Sequence, residues 1–384
     1  MTPQPQHHPH PDPDNSSEIG SIPASVFGAL RGTRTLTDEM RFVDVQFALR
    51  SVHAREEWFR SIMAKPRRHP APHAVQIEFT QRCNLTCDFC YNDSGPKNRD
   101  ELDLETLERL CAEIIEIGTG EVIISGGEPL MKPRHMDLIL QRIGEAGIPI
   151  HVLTNGLLLD KDWLAKFHRA GVVTVQVSLD GGDPAVHDRI RGRAGAWART
   201  LEALAMAHAA GFHTFVSTVL TRDNVHSLAE LVEAAYLCGC DNLNIGDLIT
   251  WGRGDAFMEN SLQAGGACTN DQFDDAADYL IRQAEMLEGR MSVRLAVNMY
   301  FFICQLKLKG QESILIRGDG SVRPHCTLSG IVAGNIHETP LKHIWEERLS
   351  RIHEDPLLDD ILATHAPVAT GRLRQLRCYR RVAS

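Results

Sequence analysis

No apolar run in this chain approaches the roughly 20 residues that a membrane-spanning helix needs. A helical membrane anchor is therefore excluded. Positive charge is not in excess either: 40 Lys and Arg stand against 50 Asp and Glu, a formal net charge of −10. Nucleic-acid surfaces are normally basic, so the acidic balance argues against that class of partner and none is expected. The segment Met1 to Ser17 is full of Pro, His and Asp and lacks the apolar centre of a secretory signal. The expected compartment is the cytoplasm, where thiols stay reduced. Ten cysteines in 384 residues then favour metal ligation over disulfides.

The length suits one large α/β domain and a smaller one. Residues 1–18 are expected to be a disordered tail, with His7, His8 and His10 solvated. Residues 19–72 are expected to hold a helical segment at 36–64 and a Pro-rich linker. From 73 to 250, short β-branched runs alternate with amphipathic stretches. The predicted strands are 75–79, 121–125, 148–153, 172–178, 212–220 and 241–245. The predicted helices are 103–117, 133–146, 160–170, 196–210 and 224–238. Leu107, Leu110, Cys111, Ile114 and Ile115 share one face of the first, which makes Cys111 a core residue. Repeated strand–helix units predict an α/β fold with a parallel sheet and right-handed crossovers. Periodicity alone does not separate a partial barrel from an open, doubly wound sheet.

Cys83, Cys87 and Cys90 follow the first strand with Cys-x3-Cys-x2-Cys spacing. Three thiolates from one loop can converge on one metal centre. Cysteines are the usual ligands of iron–sulfur clusters, and three of them leave one iron of a four-iron cluster open to something other than protein. A zinc knuckle with a distant fourth ligand uses the same residues, and chance core thiols are the remaining alternative. The triplet, with Phe89 before its last cysteine, resembles the signature of the radical S-adenosylmethionine (SAM) superfamily. The resemblance implies a partial (β/α)6 radical SAM barrel. It also implies a 4Fe–4S cluster whose open iron chelates SAM, and reductive cleavage of SAM to a 5′-deoxyadenosyl radical.

Catalytic groups in parallel α/β folds gather at the C-terminal ends of strands. Gly126-Gly127-Glu128-Pro129 follows the second strand, Thr154-Asn155-Gly156 the third, and Ser178-Leu179-Asp180-Gly181 the fourth. Paired glycines let backbone approach a ligand closely, and a carboxylate suits an ammonium group; a plain strand-ending turn is the alternative. Gly126, Gly127 and Glu128 match the family motif that holds the methionine amino group of SAM. Ser178 and Asp180 suit ribose hydroxyls or a carboxylate, with capping as the rival role. His187 to Gly192 resembles a stretch common in SAM enzymes with cysteine-rich extensions. Arg191 is the candidate partner for the methionine carboxylate, and Arg189 its solvated neighbour. Thr154 and Asn155 are candidates to line the SAM pocket. Phe89 is a candidate to contact adenine, with core packing as its alternative.

Residues 252–266 are Gly-rich and irregular, and 271–288 read as a helix. Residues 314–326 predict a β-hairpin, and Gly334 to Trp345 leads into a helix. Residues 251–384 resemble the SPASM/twitch extension, which carries auxiliary iron–sulfur clusters. Cys304 and Cys326 flank Gly320 with one residue too many on the second side, and only Cys378 follows. Two auxiliary clusters are therefore not expected. One auxiliary 4Fe–4S cluster on Cys304, Cys326 and Cys378 is weighed against a cluster-free remnant, with Cys268 as a candidate fourth ligand. Cys238 and Cys240 read as structural, and His325 as a weak ligand candidate.

The expected enzyme takes one electron from an external donor such as flavodoxin or ferredoxin and abstracts hydrogen from a substrate C–H. The reading leans toward oxidation or epimerisation of a natural-product small molecule of sugar or aminocyclitol type. The alternative is a maturase of a ribosomally synthesised peptide. A non-catalytic iron–sulfur or zinc scaffold is a third reading. Residues 19–72 show helix only, so no fused leader-recognition module is expected. No residue stands out as hydrogen donor or general base.

Overall fold

The structure, a computed structural model, describes residues 68–359 except 98–99, 247, 250, 261–265, 267, 296–305, 308–309, 329 and some side chains within 255–297. The tail at 1–18, the helix expected at 36–64, Cys304 and Cys378 lie outside the described residues. Strand and helix alternate from the start: β1 (Ala74–Glu78), α1 (Leu104–Ile117), β2 (Glu121–Ser125), α2 (Pro133–Glu145), β3 (Ile150–Thr154), α3 (Lys161–Ala170) and β4 (Val172–Ser178). There follow α4 (Pro184–Arg191), α5 (Ala196–Ala209), β5 (His213–Val219), α6 (Leu228–Leu237) and β6 (Asn242–Gly246). Then come α7 (Arg253–Asn260), α8 (Asn270–Met286), β7 (Ser292–Leu295), β8 (Ser313–Arg317), β9 (Ser321–Arg323), β10 (Gly334–Asn335) and α9 (Leu341–Glu347).

The helices form where local chemistry marks their ends. Asp103 caps α1 by accepting the Thr106 amide at 2.7 Å, and Leu107, Leu110, Cys111 and Ile114 form its buried stripe. Asp160 caps α3 and Asp183 caps α4 in the same way. Helix α4 was not among the predicted helices. It spans eight residues, too few for a periodic apolar pattern to stand out.

Strands β1 to β7 run parallel in chain order, and the sheet continues beyond β1 through β8, β9 and β10. A doubly wound sheet reverses its strand order at a switch point; β1 to β7 show no reversal. Such an order, with right-handed crossovers, stacks the helices on one face. Burial alternates accordingly. Val75, Ile77, Val122, Ile124, Ile150, Val152 and Val216 are buried, and each contributes about 1.5–3 kcal/mol. Their neighbours Gln76, Ile123, His151, Leu153, Phe215 and Ser217 face the other way and are only half-buried. The sheet is an open partial barrel whose inner face mixes polar and apolar side chains.

The predicted hairpin is present as antiparallel β8 and β9, with the Asp319 carboxylate accepting from the Ser321 amide at 3.0 Å and its hydroxyl at 2.6 Å. Its placement was not legible in the sequence. Strand β8 pairs in parallel with β1, Glu78 opposite Arg317, so the sheet runs across the division at residue 250. Helix α9 then docks on α1, where the Leu341 amide donates to Glu113 at 2.6 Å.

Candidate active site

Strand β1 delivers the chain into the cysteine loop. The loop is tied at its base, where the Cys83 amide donates to Gly95 O at 3.2 Å and the Gly95 amide to Gln81 O at 3.1 Å. Cys83 and Cys87 are buried around Leu85, Cys90 is half-buried, and all three line one cavity. Each sulfur faces at least one N–H donor, and Cys83 also takes the Leu85 amide. Asn155 Nδ2 lies 3.8 Å from Cys83 Sγ, Arg191 Nη1 lies 3.5 Å from Cys87 Sγ, and the Ser94 amide lies 3.3 Å from Cys90 Sγ. Sulfurs that carry thiolate charge in a cluster are tuned by such donors. Three thiols on one cavity wall are the donor set that an iron–sulfur cluster takes, and Cys83, Cys87 and Cys90 would hold it. Burial, with Glu128 nearby, pushes the Cys83 thiol up to about 12. Burial also pushes Cys87 up, against the pull of Arg191. Metal binding at these sulfurs must therefore release protons.

Glu128 with its two glycines packs directly against this loop. The Gly127 amide donates to Thr80 O at 2.7 Å and the Glu128 amide to Arg82 O at 2.9 Å. A Cβ on Gly127 would lie 2.3 Å from Arg82 O and 2.6 Å from Arg82 C. Gly126 has φ of +140°, and its Cβ would lie 2.6 Å from Thr80 O. The glycines line the cavity, yet the close approach that requires them is to the chain's own backbone. Because that backbone is pinned, Gly127→Ala is expected to cost about 3 kcal/mol, read as a lowered urea midpoint at constant slope.

Phe89, Gly126, Gly127, Thr154, Asn155, Ser178 and Arg191 line the same cavity as the three cysteines. Glu128 and Asp180 do not; both are fully buried. Glu128 accepts from the Asn155 amide at 2.8 Å, the Thr154 hydroxyl at 2.8 Å and the Leu130 amide at 3.0 Å. It therefore holds the end of β3 in place from behind. Asp180 forms an ion pair with Arg191 and accepts the Val219 amide at 2.8 Å. Arg191, read from sequence as the partner of a ligand carboxylate, already has a carboxylate of its own. Buried His187 accepts the Asp180 amide at 3.1 Å on Nδ1, and burial holds its ring neutral. Arg189 is exposed and paired with Asp223 at 3.0 Å.

Other cavity residues were missed. Gln176, Ser217 and Val219 come from the inner face of β4 and β5, which the strand alternation would have pointed to. Tyr91 lines the cavity and donates to buried Glu78, whose carboxylate also faces Arg317 Nε at 3.8 Å. Burial raises the pKa of Glu78. Leu248, Ile249 and Arg253 close the cavity from the segment after β6. No local pattern announces that segment.

Of the other cysteines, Cys111, Cys238, Cys240 and Cys268 are buried in the main apolar core. Cys240 donates to Asn242 O at 3.0 Å, in keeping with a structural role. Cys326 is half-buried, with His325 Nδ1 3.7 Å from its sulfur.

The profile of the radical SAM superfamily matches residues 77–235, which span the cysteine loop and every strand-end motif described above. The chain carries a radical SAM domain. Radical SAM enzymes use a 4Fe–4S cluster and SAM. The chain is 29% identical over 299 residues to the AdoMet-dependent heme synthase of Methanosarcina barkeri, covering 72% of this chain and 82% of that protein. It is 27% identical over 267 residues to the PqqA peptide cyclase of Rhodopseudomonas palustris, covering 68% and 69%. The fold is shared with SuiB of Streptococcus suis bound to S-adenosylmethionine, at a TM-score of 0.60 and 17% identity over 80% of this chain and 71% of that one. SuiB bound to its precursor peptide SuiA gives the same TM-score. No helix among the described residues is long and apolar enough to cross a membrane.

Proposed function

We propose that this radical SAM enzyme is a maturase that modifies a ribosomally synthesised peptide. Cys83, Cys87 and Cys90 hold the cluster, and when bound the cluster and SAM supply a 5′-deoxyadenosyl radical for hydrogen abstraction. Phe89, Gly126, Gly127, Thr154, Asn155, Ser178 and Arg191 shape the SAM pocket, while Glu128 and Asp180 position that shell from behind. The observation that carries the chemistry is the set of three thiols, each faced by an N–H donor, on one cavity wall at the C-terminal strand ends. The peptide reading rests on the names of the PqqA peptide cyclase and peptide-bound SuiB. Gln76, Gln176, Ser217 and Asn244 put hydrogen-bonding side chains among the apolar ones on the half-buried inner face, which suits a peptide backbone. The PqqA peptide cyclase and peptide-bound SuiB favour this reading over the sugar or aminocyclitol one. A tetrapyrrole substrate is the second reading, favoured by the heme synthase alignment.

The test is anaerobic reconstitution with iron, sulfide, SAM and dithionite, the last standing in for a flavodoxin or ferredoxin. 5′-Deoxyadenosine is expected to form. Its rate should rise at least about tenfold with a short precursor peptide encoded beside the enzyme's gene, with a matching mass change in the peptide. Stimulation by a tetrapyrrole precursor instead would overturn the peptide reading. An intact cluster that yields no 5′-deoxyadenosine would remove the catalytic one.

A further inference from the structure

Arg253, the first residue of α7, reaches across the cavity mouth to the cysteine loop with every part of its guanidinium. Nε donates to Cys87 O at 2.8 Å, Nη2 to Ser94 O at 2.8 Å, and Nη1 to the Asp93 carboxylate at 2.8 Å. Its backbone amide donates to Cys90 O at 3.1 Å. The contact is close: a Cβ on Gly252 would lie 2.5 Å from Tyr91 O. One turn later, Phe257 meets Phe89 edge to face at 6.0 Å between ring centres. The four acceptors run from Cys87 to Ser94 and so span two of the three cysteines. Ser94, held through its carbonyl by Arg253, is the residue whose amide points at Cys90 Sγ.

We infer that Arg253 is a positioning residue for the cluster: it sets the shape of the Cys87–Ser94 loop and places a positive charge beside it that favours the cluster's reduced form. The inference rests on the assignment of Cys83, Cys87 and Cys90 as ligands. An iron–sulfur cluster gains negative charge on reduction, and its potential follows nearby charge and the hydrogen bonds around its sulfurs. Arg253 contributes to both. Asp93 is the counterweight. Its carboxylate partly neutralises Arg253, and its backbone sits at φ of +50°, the single non-glycine at positive φ among the described residues. Asn tolerates that conformation well, so Asp93→Asn removes the opposing charge without disturbing the turn.

Three full-length variants, reconstituted anaerobically, test this by EPR-monitored redox titration and by chelator-driven iron loss. Arg253→Ala should shift the potential to more negative values and release iron roughly tenfold faster, the effect of losing charge-assisted hydrogen bonds. Asp93→Asn should shift the potential the opposite way, by a smaller amount because Asp93 is largely exposed. Arg253→Lys keeps the charge but not the planar fork; its potential should stay near wild type while iron retention falls. Opposite shifts from two neighbours cannot come from general loosening of the fold. If Arg253→Ala does not fold, the lysine and asparagine variants carry the test. Wild-type potential and iron retention throughout, with a signal that depends on the three cysteines, would overturn the inference alone. A wild-type signal that persists without those cysteines would overturn the ligand assignment and this inference with it.

Discussion

Replacing Cys83, Cys87 and Cys90 together with alanine is expected to remove about four irons per chain and to bring 5′-deoxyadenosine formation down to the uncatalysed background. The reason is chemical rather than structural. The side chains lost are small, and two of them are buried around Leu85 in a minor apolar cluster apart from the main core. The fold should therefore survive, which circular dichroism and thermal melting can check. Iron and sulfide counting on the same variant answers a second question. About four residual irons would support an auxiliary cluster on Cys304, Cys326 and Cys378; residual iron near zero would remove it. A single zinc per wild-type chain in place of iron would return the loop to the zinc reading.

Glu128→Gln is expected to flatten the pH dependence of stability. Burial pushes the Glu128 carboxyl from its ordinary 4.5 up to about 7, against three donors that favour the anion. A raised carboxyl pKa means that folding takes up a proton. The stability this group contributes is fully present below about 4.5 and is lost as pH rises through about 7. The loss by pH 8 is roughly 3 kcal/mol. Urea unfolding at pH 5 and pH 8 should show the wild type losing stability that the glutamine variant does not lose. Equal slopes in the two proteins would refute the assignment. Glu128→Ala goes further, because it strands the Asn155 and Leu130 amides and the Thr154 hydroxyl. At 1–3 kcal/mol for a stranded buried donor, a cost of about 3 kcal/mol or more is expected. Weaker SAM binding, read by equilibrium dialysis on reconstituted protein, should follow as Thr154 and Asn155 lose their anchor.

The catalytic half of the molecule was largely readable because its signals are local. A strand run, a capping Asp and a Cys-x3-Cys-x2-Cys loop each lie within a few residues, and β1 to β6 begin and end within two residues of the predicted strands, whereas β7 was not predicted. The strand-end rule alone brings Cys83, Gly126, Thr154 and Ser178 to one mouth, and all four line the cavity. The same rule could not say which of two neighbours would face the ligand. Ser178 lines the cavity while Asp180 turns inward to Arg191, and Gly127 lines it while Glu128 turns inward to Asn155. Burial decides such choices, because a carboxylate with two or three donors within the protein is held away from the open space.

What the sequence by itself determined is the set of chemical groups: three clustered thiols, a glycine-rich acidic turn and a repeated strand–helix rhythm, whose resemblance to the radical SAM signature implied the cluster, SAM and a parallel sheet. Tertiary structure alone decided which way the sheet is wound, that β8 adds to β1, and that Arg253 holds the loop from 159 to 166 residues away. Those outcomes depend on contacts between segments whose local patterns are silent about each other. A guanidinium finds its three acceptors only once the strands between them have been laid side by side.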